Sequence, residues 1–308
     1  MSRRGSIFRA AGLLLLFSAL AEFPCRAATA SAQCQSAPSR ILHRAVGYCI
    51  ILPPGYASGK TRRYPVLYLL HGLGENRQFL IGNGGLNLIE DLWSSRRMGK
   101  FLIVTPDADS SFYINSKNGR ERYEDFFIRE FLPYIERHYR TLPGRKYRGI
   151  AGVSMGGYGA LHLAFRHPWL FGSAGAESAA LIAHFRAETL AGPVARALGL
   201  MLGGAFGTPP DAAYWKENSP LTLARTARLA GMKIYFDCGA QDGYGFEHGA
   251  RALDRILTAR GIPHDFHLYP GGHNWEYFAA HLPEMLEFES RAFGQSPGFR
   301  ARRSSTRR

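Results

Sequence analysis

The segment Gly152-Val153-Ser154-Met155-Gly156 sets a serine between two glycines, each two positions away. A serine hydroxyl is a poor nucleophile until a base takes its proton. On a sharp strand-to-helix turn the hydroxyl is lifted clear of a sheet, and small flanking residues let the backbone pass closely enough to make that turn. The residues before the serine, RGIAGV, read as a strand, and those after it, MGGYGALHLAFR, read as a helix. The segment therefore sits in the setting that nucleophilic chemistry requires. Two later segments, KIYFDCGAQDGYG and LYPGGHNWEYF, are strands running into polar, glycine-containing loops, where α/β sheets carry reactive groups. A nucleophile followed by an acid and then a histidine is the chain order of one triad arrangement, and Ser154, Asp242 and His273 obey it. Asp237 competes as the acid. It lies at a strand end, where bonding to loop backbone is expected, whereas Asp242, farther into the loop, can reach an imidazole.

Attack by the serine on a carbonyl builds negative charge on its oxygen, so backbone N–H groups must be aimed at that oxygen. One expected donor follows the nucleophile, Met155. The other comes from the loop after an earlier strand, Leu73 within LLHGLG (69–74). His71 in the same loop precedes the serine, against the chain order, and reads as a loop-shaping residue.

Short apolar runs alternate with helical patterns, the signature of a mostly parallel sheet with helices on both faces. Strands are expected at Ala45–Leu52, Val66–Leu70, Leu102–Thr105, Gly149–Val153, Lys233–Phe236 and Phe266–Tyr269. PVLYLL and FLIV are apolar throughout, as central strands covered on both faces should be. Helices are expected at Asp125–Tyr139, with Phe127, Phe131 and Ile135 forming one stripe, and at Met155–Arg166, Phe246–Arg260 and Trp275–Phe293. Residues 183–228 are less regular, broken by Gly203-Gly204 and Pro209-Pro210. They are expected to form an insertion beside the reactive serine, its apolar residues Leu198, Leu200, Met201, Leu202, Phe206 and Trp215 available to an acyl chain. Tyr113, Trp215 and Tyr244 are candidate pocket aromatics. No internal repeat is present, so 33–295 is read as a single domain.

Several further segments give the reading a family. LPPGY (52–56), YPVLYLLHGLG (64–74), RYEDFF (122–127), GVSMGGYGA (152–160), ENSPL (217–221), DCGAQDG (237–243) and GIPHDFHLYPGGHNWEYF (261–278) together resemble the bacterial putative-esterase family. That family includes esterase D, S-formylglutathione hydrolases, tributyrin and feruloyl esterases and the antigen 85 mycolyltransferases. The resemblance runs from about Ser39 to Phe293 and is closest to a secreted esterase branch. It implies an α/β-hydrolase fold, a Ser154–Asp242–His273 triad and oxyanion donors at Leu73 and Met155. The activity it implies is cleavage of carboxylic esters or thioesters through an acyl-enzyme. Acyl transfer to an alcohol or sugar is the alternative, and a non-catalytic binding protein on the same scaffold a third reading.

Composition bounds the rest. Of the 308 residues, 46% are hydrophobic and 20% charged, as in ordinary globular proteins. Residues 1–32 read as an export signal: Arg3, Arg4 and Arg9 precede the apolar run AAGLLLLFSALA, and an A-x-A pattern closes at Ala32. The run is shorter than the roughly 20 residues that span a bilayer, so a secreted or periplasmic protein with no stable membrane span is expected. The formal net charge of +14 is concentrated at the ends. The leader carries a net +3 and the tail +5, in Arg300, Arg302, Arg303, Arg307 and Arg308, which leaves a mildly basic body. Residues 296–308 are expected to be a disordered, solvated tail, and no nucleic-acid-reading motif accompanies it. Cys34 and Cys49 are positioned to pair in an oxidising compartment, while Cys238 in an apolar strand reads as a buried thiol. The eleven histidines form no H-E-x-x-H, and His264 and His267 are set to face opposite sides of a strand. No phosphate-cradling or dinucleotide motif occurs. No cofactor or metal is expected, and the partner is a small-molecule or carbohydrate-linked ester.

Overall fold

The computed structural model describes residues 30–183, 199 and 202–295. The expected leader up to residue 29, the Arg-rich tail from 296, and residues 184–198, 200 and 201 of the expected insertion lie outside the described residues. Among the described residues eight strands form one sheet in the order β1-β2-β4-β3-β5-β6-β7-β8. They are β1 (Ser31–Ser39), β2 (Arg44–Leu52), β3 (Val66–Leu70), β4 (Leu102–Pro106), β5 (Arg148–Val153), β6 (Ser173–Glu177), β7 (Lys233–Gly239) and β8 (Asp265–Tyr269). The β1–β2 and β2–β4 pairs are antiparallel, and every other pair is parallel.

The helices follow in chain order: α1 (Phe79–Gly82), α2 (Gly85–Ser94), α3 (Tyr123–Phe126), α4 (Leu132–His138), α5 (Met155–Arg166), α6 (Ala212–Asn218), α7 (Pro220–Leu223), α8 (Phe246–Ala259) and α9 (Trp275–Ala292). The helix expected from Asp125 to Tyr139 opens at Tyr123 and is interrupted by a π turn over Phe127–Phe131. Pro133, two residues beyond its end, offers no N–H to the ordinary ladder. The apolar stripe survives the interruption, with Phe127, Phe131 and Ile135 all fully buried.

Successive residues of the central strands divide between two cores. Val66, Tyr68 and Leu70 join the core under α3, α4, α5 and α8, while Leu67 and Leu69 join the core under α2 and α9. This is the period-two alternation of a strand buried on both faces. Each fully buried large apolar side chain contributes roughly 1.5–3 kcal/mol. The layered sheet therefore holds its rim loops in place without needing their sequence.

Two strands escaped the sequence reading. β1 is an edge strand with mostly exposed residues, so no apolar alternation marks it. β6, SAGAE, is buried throughout but built of small residues. A Cβ on Gly175 would lie 3.0 Å from the Ala151 Cβ and 3.1 Å from the Met285 side chain, so bulk is excluded there. β1 begins at Ser31, with Ala32 paired to Ile51, two residues before the start expected for the domain. Cys34 and Cys49 occupy directly paired positions on β1 and β2, with Cα atoms 4.0 Å apart, and form a disulfide. Among the described residues no helix is long and apolar enough to cross a membrane.

Candidate active site

β5 ends in Val153, and Ser154 turns the chain into α5 with φ 57° and ψ −116°. That positive φ in a non-glycine residue is strained backbone, held by its surroundings. Ser154 N–H donates to the Glu177 carbonyl at 2.9 Å, and the Ser154 carbonyl accepts from Tyr158 and Ala180 N–H, each at 3.0 Å. The flanking glycines are required by contact. A Cβ on Gly152 would lie 2.4 Å from the Gly156 carbonyl, and one on Gly156 would lie 2.1 Å from the Leu70 carbonyl oxygen.

Asp242 and His273 arrive on the loops after β7 and β8. These loops are laced together: Ala240 N–H donates to Tyr269 O at 2.8 Å, Gln241 N–H to Gly271 O at 3.0 Å, and Gly271 N–H to the Gln241 side chain at 2.8 Å. Gly239 has no room for a Cβ, which would meet Gly271 O at 2.5 Å. Immediately after His273, Asn274 caps α9 by accepting from Tyr277 N–H at 2.9 Å. His273 Nδ1 lies 2.8 Å from Asp242 Oδ2, and its Nε2 lies 2.9 Å from Ser154 Oγ. An ionised carboxylate can only accept, so Nδ1 carries the hydrogen and Nε2 turns its lone pair to the serine hydroxyl. The Asp242 side chain is fully buried. Burial alone would raise its pKa. The hydrogen bond and charge of His273, with the Tyr244 N–H at 2.9 Å, outweigh burial and hold the carboxyl below its ordinary range. The Cys238 thiol, 3.6 Å away, also donates to Oδ2.

The competing acid sits elsewhere. Asp237 is embedded in β7, accepts from the Tyr277 hydroxyl at 2.7 Å, and makes no bond to His273. His71 is fully buried and bridges two loops: Nδ1 donates to Gly72 O at 2.8 Å and Nε2 accepts from Ala108 N–H at 3.0 Å. Burial pulls its pKa down, which keeps the ring neutral and this bridge intact. Tyr113 is not a pocket residue. It is buried and donates its hydroxyl to His71 O at 3.0 Å.

Ser154 and His273 open onto a cavity of about 290 Å³, lined also by Leu73 and Met155, the residues expected to point N–H groups at a carbonyl oxygen. Met155 is the first residue of α5, where helical N–H groups have no partner within the helix. The remaining wall is largely aromatic and aliphatic: Phe112, Leu202, Trp215, Tyr244, Phe246 and Phe278, with Glu75 as its one carboxyl group among the described residues. Leu202 and Trp215 come from the expected insertion. Sequence reasoning missed Phe112, Phe246, Phe278 and Glu75. Phe112 has φ 53°, a turn that no local pattern announces. Phe246 and Phe278 sit on helices found by periodicity, and their nearness to the two reactive loops was the available signal.

The family model described as "Putative esterase" matches residues 39–288. Esterase Rv1288 of Mycobacterium tuberculosis is 30% identical over 253 residues, covering 74% of this chain and 52% of that protein. The chain thus spans about half the length of the curated relative it matches there. The diacylglycerol acyltransferase/mycolyltransferase Ag85A of the same species is 27% identical over 264 residues, 76% of this chain and 75% of that one. Among solved structures, a ferulic acid esterase superposes with a TM-score of 0.74 at 29% identity, over 86% of this chain and 99% of that chain. The sheet with helices on both faces is accordingly an α/β-hydrolase fold. With residues 39–288 matched, well over half its length, the chain belongs to the Putative esterase family.

Proposed function

We propose that this chain is a serine esterase that hydrolyses carboxylic esters or thioesters through an acyl-enzyme on Ser154. The observation that carries the reading is the unbroken hydrogen-bonded series from Asp242 through His273 to Ser154 at an apolar cavity. In the proposed cycle Ser154 Oγ attacks the substrate carbonyl carbon while its proton passes to His273 Nε2. The imidazolium so formed faces Asp242, a carboxylate already held in its charged form. Charge on the carbonyl oxygen is met by the backbone N–H groups of Met155 and Leu73, of which one is commonly worth about 3 kcal/mol. His273 then protonates the departing alcohol or thiol. A water, deprotonated by His273, releases the acid and returns the proton to Ser154. The chain itself supplies the nucleophile, the base, the orienting acid and the backbone N–H donors of this cycle.

Acyl transfer to an alcohol or sugar is the second reading, favoured by the similarity to Ag85A. It shares every step up to the acyl-enzyme. Incubating an acyl donor with a sugar acceptor and assaying for a new ester separates the two. Choice among acyl groups is assigned to residues 183–228, on the strength of Leu202 and Trp215 in the cavity wall. Export to an oxidising compartment is supported by the leader pattern and by the Cys34–Cys49 disulfide.

The test is Ser154→Ala. It removes the nucleophile and no packing volume of consequence, so the variant should keep its thermal transition and lose several powers of ten in kcat on an activated ester. Turnover within tenfold of the parent by the folded variant would overturn the proposal.

A further inference from the structure

Three polar side chains of the nucleophile helix converge on a single residue of the segment that carries Trp215. Tyr158, His162 and Arg166 follow one another at intervals of four on α5, so they line one face of it. Two of them end on the same atom. The Tyr158 hydroxyl and His162 Nδ1 each lie 2.8 Å from the carbonyl oxygen of Asn218, the last residue of α6. Arg166 donates to Asn218 Oδ1 at 3.1 Å. A carbonyl at a helix C-terminus has no partner within its helix, and α5 supplies two donors to this one.

His162 is fully buried, and its other nitrogen is equally committed. Nε2 lies 2.9 Å from Glu124 Oε2, while His167 Nε2 lies 2.7 Å from Glu124 Oε1 and Arg166 Nε 3.8 Å from that second oxygen. Burial works to raise the Glu124 pKa. Hydrogen bonds from His162 and His167 outweigh it and hold the carboxyl below its ordinary range. A carboxylate and a carbonyl can only accept, so both ring nitrogens of His162 donate in this arrangement. The ring is thus a clamp, with a charge-assisted end on Glu124 of α3 and a neutral end on Asn218.

The neutral end bears on the cavity. Trp215 stands three residues before Asn218 on the same short helix and forms part of the cavity wall. Its ring packs on Tyr158 and Phe112, with centroids 5.5 and 6.4 Å apart. The start of α6 is tied elsewhere: Asp211 caps it by accepting from Tyr214 N–H at 2.8 Å and pairs with Lys117. The Asn218 end is fixed to the helix that Ser154 opens.

We propose, on the esterase reading above, that His162 is a positioning residue for acyl selection, its Nδ1 bond to Asn218 setting where Trp215 stands relative to Ser154. An acetyl group ends beside the reacting carbonyl. A hexanoyl chain must lie along the cavity wall, and it gains or loses contact as Trp215 shifts.

The two ends of the clamp can be kept one at a time. His162→Asn places an amide nitrogen near the position of Nδ1, and His162→Gln places one near Nε2. These variants, Tyr158→Phe and the parent are assayed for kcat and KM on 4-nitrophenyl acetate, butanoate and hexanoate, with each thermal transition recorded. In His162→Gln the preference for hexanoate over acetate, as a ratio of kcat/KM, should fall roughly two- to tenfold, the worth of one lost hydrogen bond. Most of the loss should appear in the KM for hexanoate, with kcat on acetate within about threefold of the parent. His162→Asn keeps the bond to Asn218 and should hold the ratio within about twofold, whatever its thermal stability. Tyr158→Phe removes the other donor to that carbonyl with little change in volume. It should move the ratio the same way as His162→Gln, and it decides the matter if the His162 variants do not fold. A ratio unchanged or raised in the folded variants would leave the cluster a support for the fold alone and overturn the inference. So would equal changes in His162→Asn and His162→Gln, or an equal loss on all three esters, which would place the effect at Ser154. A parent protein that cleaves none of the three would overturn the esterase reading itself, a result distinct from these.

Discussion

Asp237 and Asp242 stand five positions apart on the same strand and the loop that follows it, yet their surroundings drive them in opposite directions. Asp242 has left the sheet. Its carboxylate collects an imidazole N–H, a backbone N–H and a thiol, and is held below the ordinary carboxyl range. Asp237 is still in β7, directly paired with Glu177 of β6. Burial pushes its pKa up to about 7, against a hydrogen bond from Tyr277 that works to lower it. Glu177 is fully buried with both carboxyl oxygens unpartnered among the described residues, and burial, reinforced by the Asp237 charge, drives its pKa well above the usual range. The difference is one of donor supply. Strand N–H groups are already spent in the ladder, whereas a loop has N–H groups free to turn on a side chain. A charge is therefore accommodated just beyond a strand end, and an acid left within the strand is driven towards its neutral form.

The comparison breaks first on activity. Asp242→Asn should lower kcat on an activated ester by about four powers of ten, because the amide no longer fixes the imidazole tautomer or faces the imidazolium. Asp237→Asn should lower it less than tenfold. Similar losses in both variants, measured on folded protein, would show that the two carboxyl groups act as one unit.

The second break is in the pH dependence of stability. Asp237 has a folded pKa of about 7 against an ordinary value of 3.8, so the native state holds a proton that the unfolded chain releases. Its contribution is fully present below pH 3.8 and is lost as pH rises through about 7. Asp242 has the opposite sign: its contribution is present above pH 3.8 and is lost as pH falls through its lowered value. Unfolding free energies from denaturant titration should therefore show Asp237→Asn gaining on the parent by roughly 2–4 kcal/mol between pH 4 and 8. A difference independent of pH would contradict the assignment.

A smaller effect sharpens the point. Glu177→Leu replaces an unpartnered buried carboxyl with an apolar side chain of similar length. It should raise stability by about 1–2 kcal/mol at pH 8 and less at pH 5, because a carboxyl whose folded pKa is raised loses stability relative to the unfolded chain as pH rises. Because Glu177 holds Ser154 through its backbone carbonyl and not its side chain, the elbow keeps that bond. A loss of stability at pH 8 would mean that the carboxyl has a partner essential to the fold.

Legibility followed the same physical divide. Val66–Leu70 and Met155–Arg166 have the bounds read from the sequence, because a long apolar run and a glycine-led helix are local signals. β1 and β6 were silent, one because an edge strand needs no apolar alternation and the other because close packing against Ala151 and Met285 admits only small residues. Ser154, Asp242 and His273 were singled out by chain order and loop context, signals that survive without coordinates. The cavity wall announced itself only in part, through Leu202, Trp215 and Tyr244. Phe112, Phe246 and Phe278 come from three separate segments, and only their convergence makes them neighbours.

By itself the sequence determined the layered α/β class, the elbow with its two indispensable glycines, and the choice of which groups could react. These are encoded in runs of a few residues, through periodicity and through the conformations that glycine permits. Tertiary structure decided which of two acids meets the imidazole, that His71 is a neutral bridge between loops, and that Tyr244 stands half in water beside His273. Those outcomes depend on donors, burial and distances between segments well separated in sequence, 31 residues for Asp242 and His273 and 37 for His71 and Ala108. Such quantities come into being only when the sheet sets its strand ends side by side.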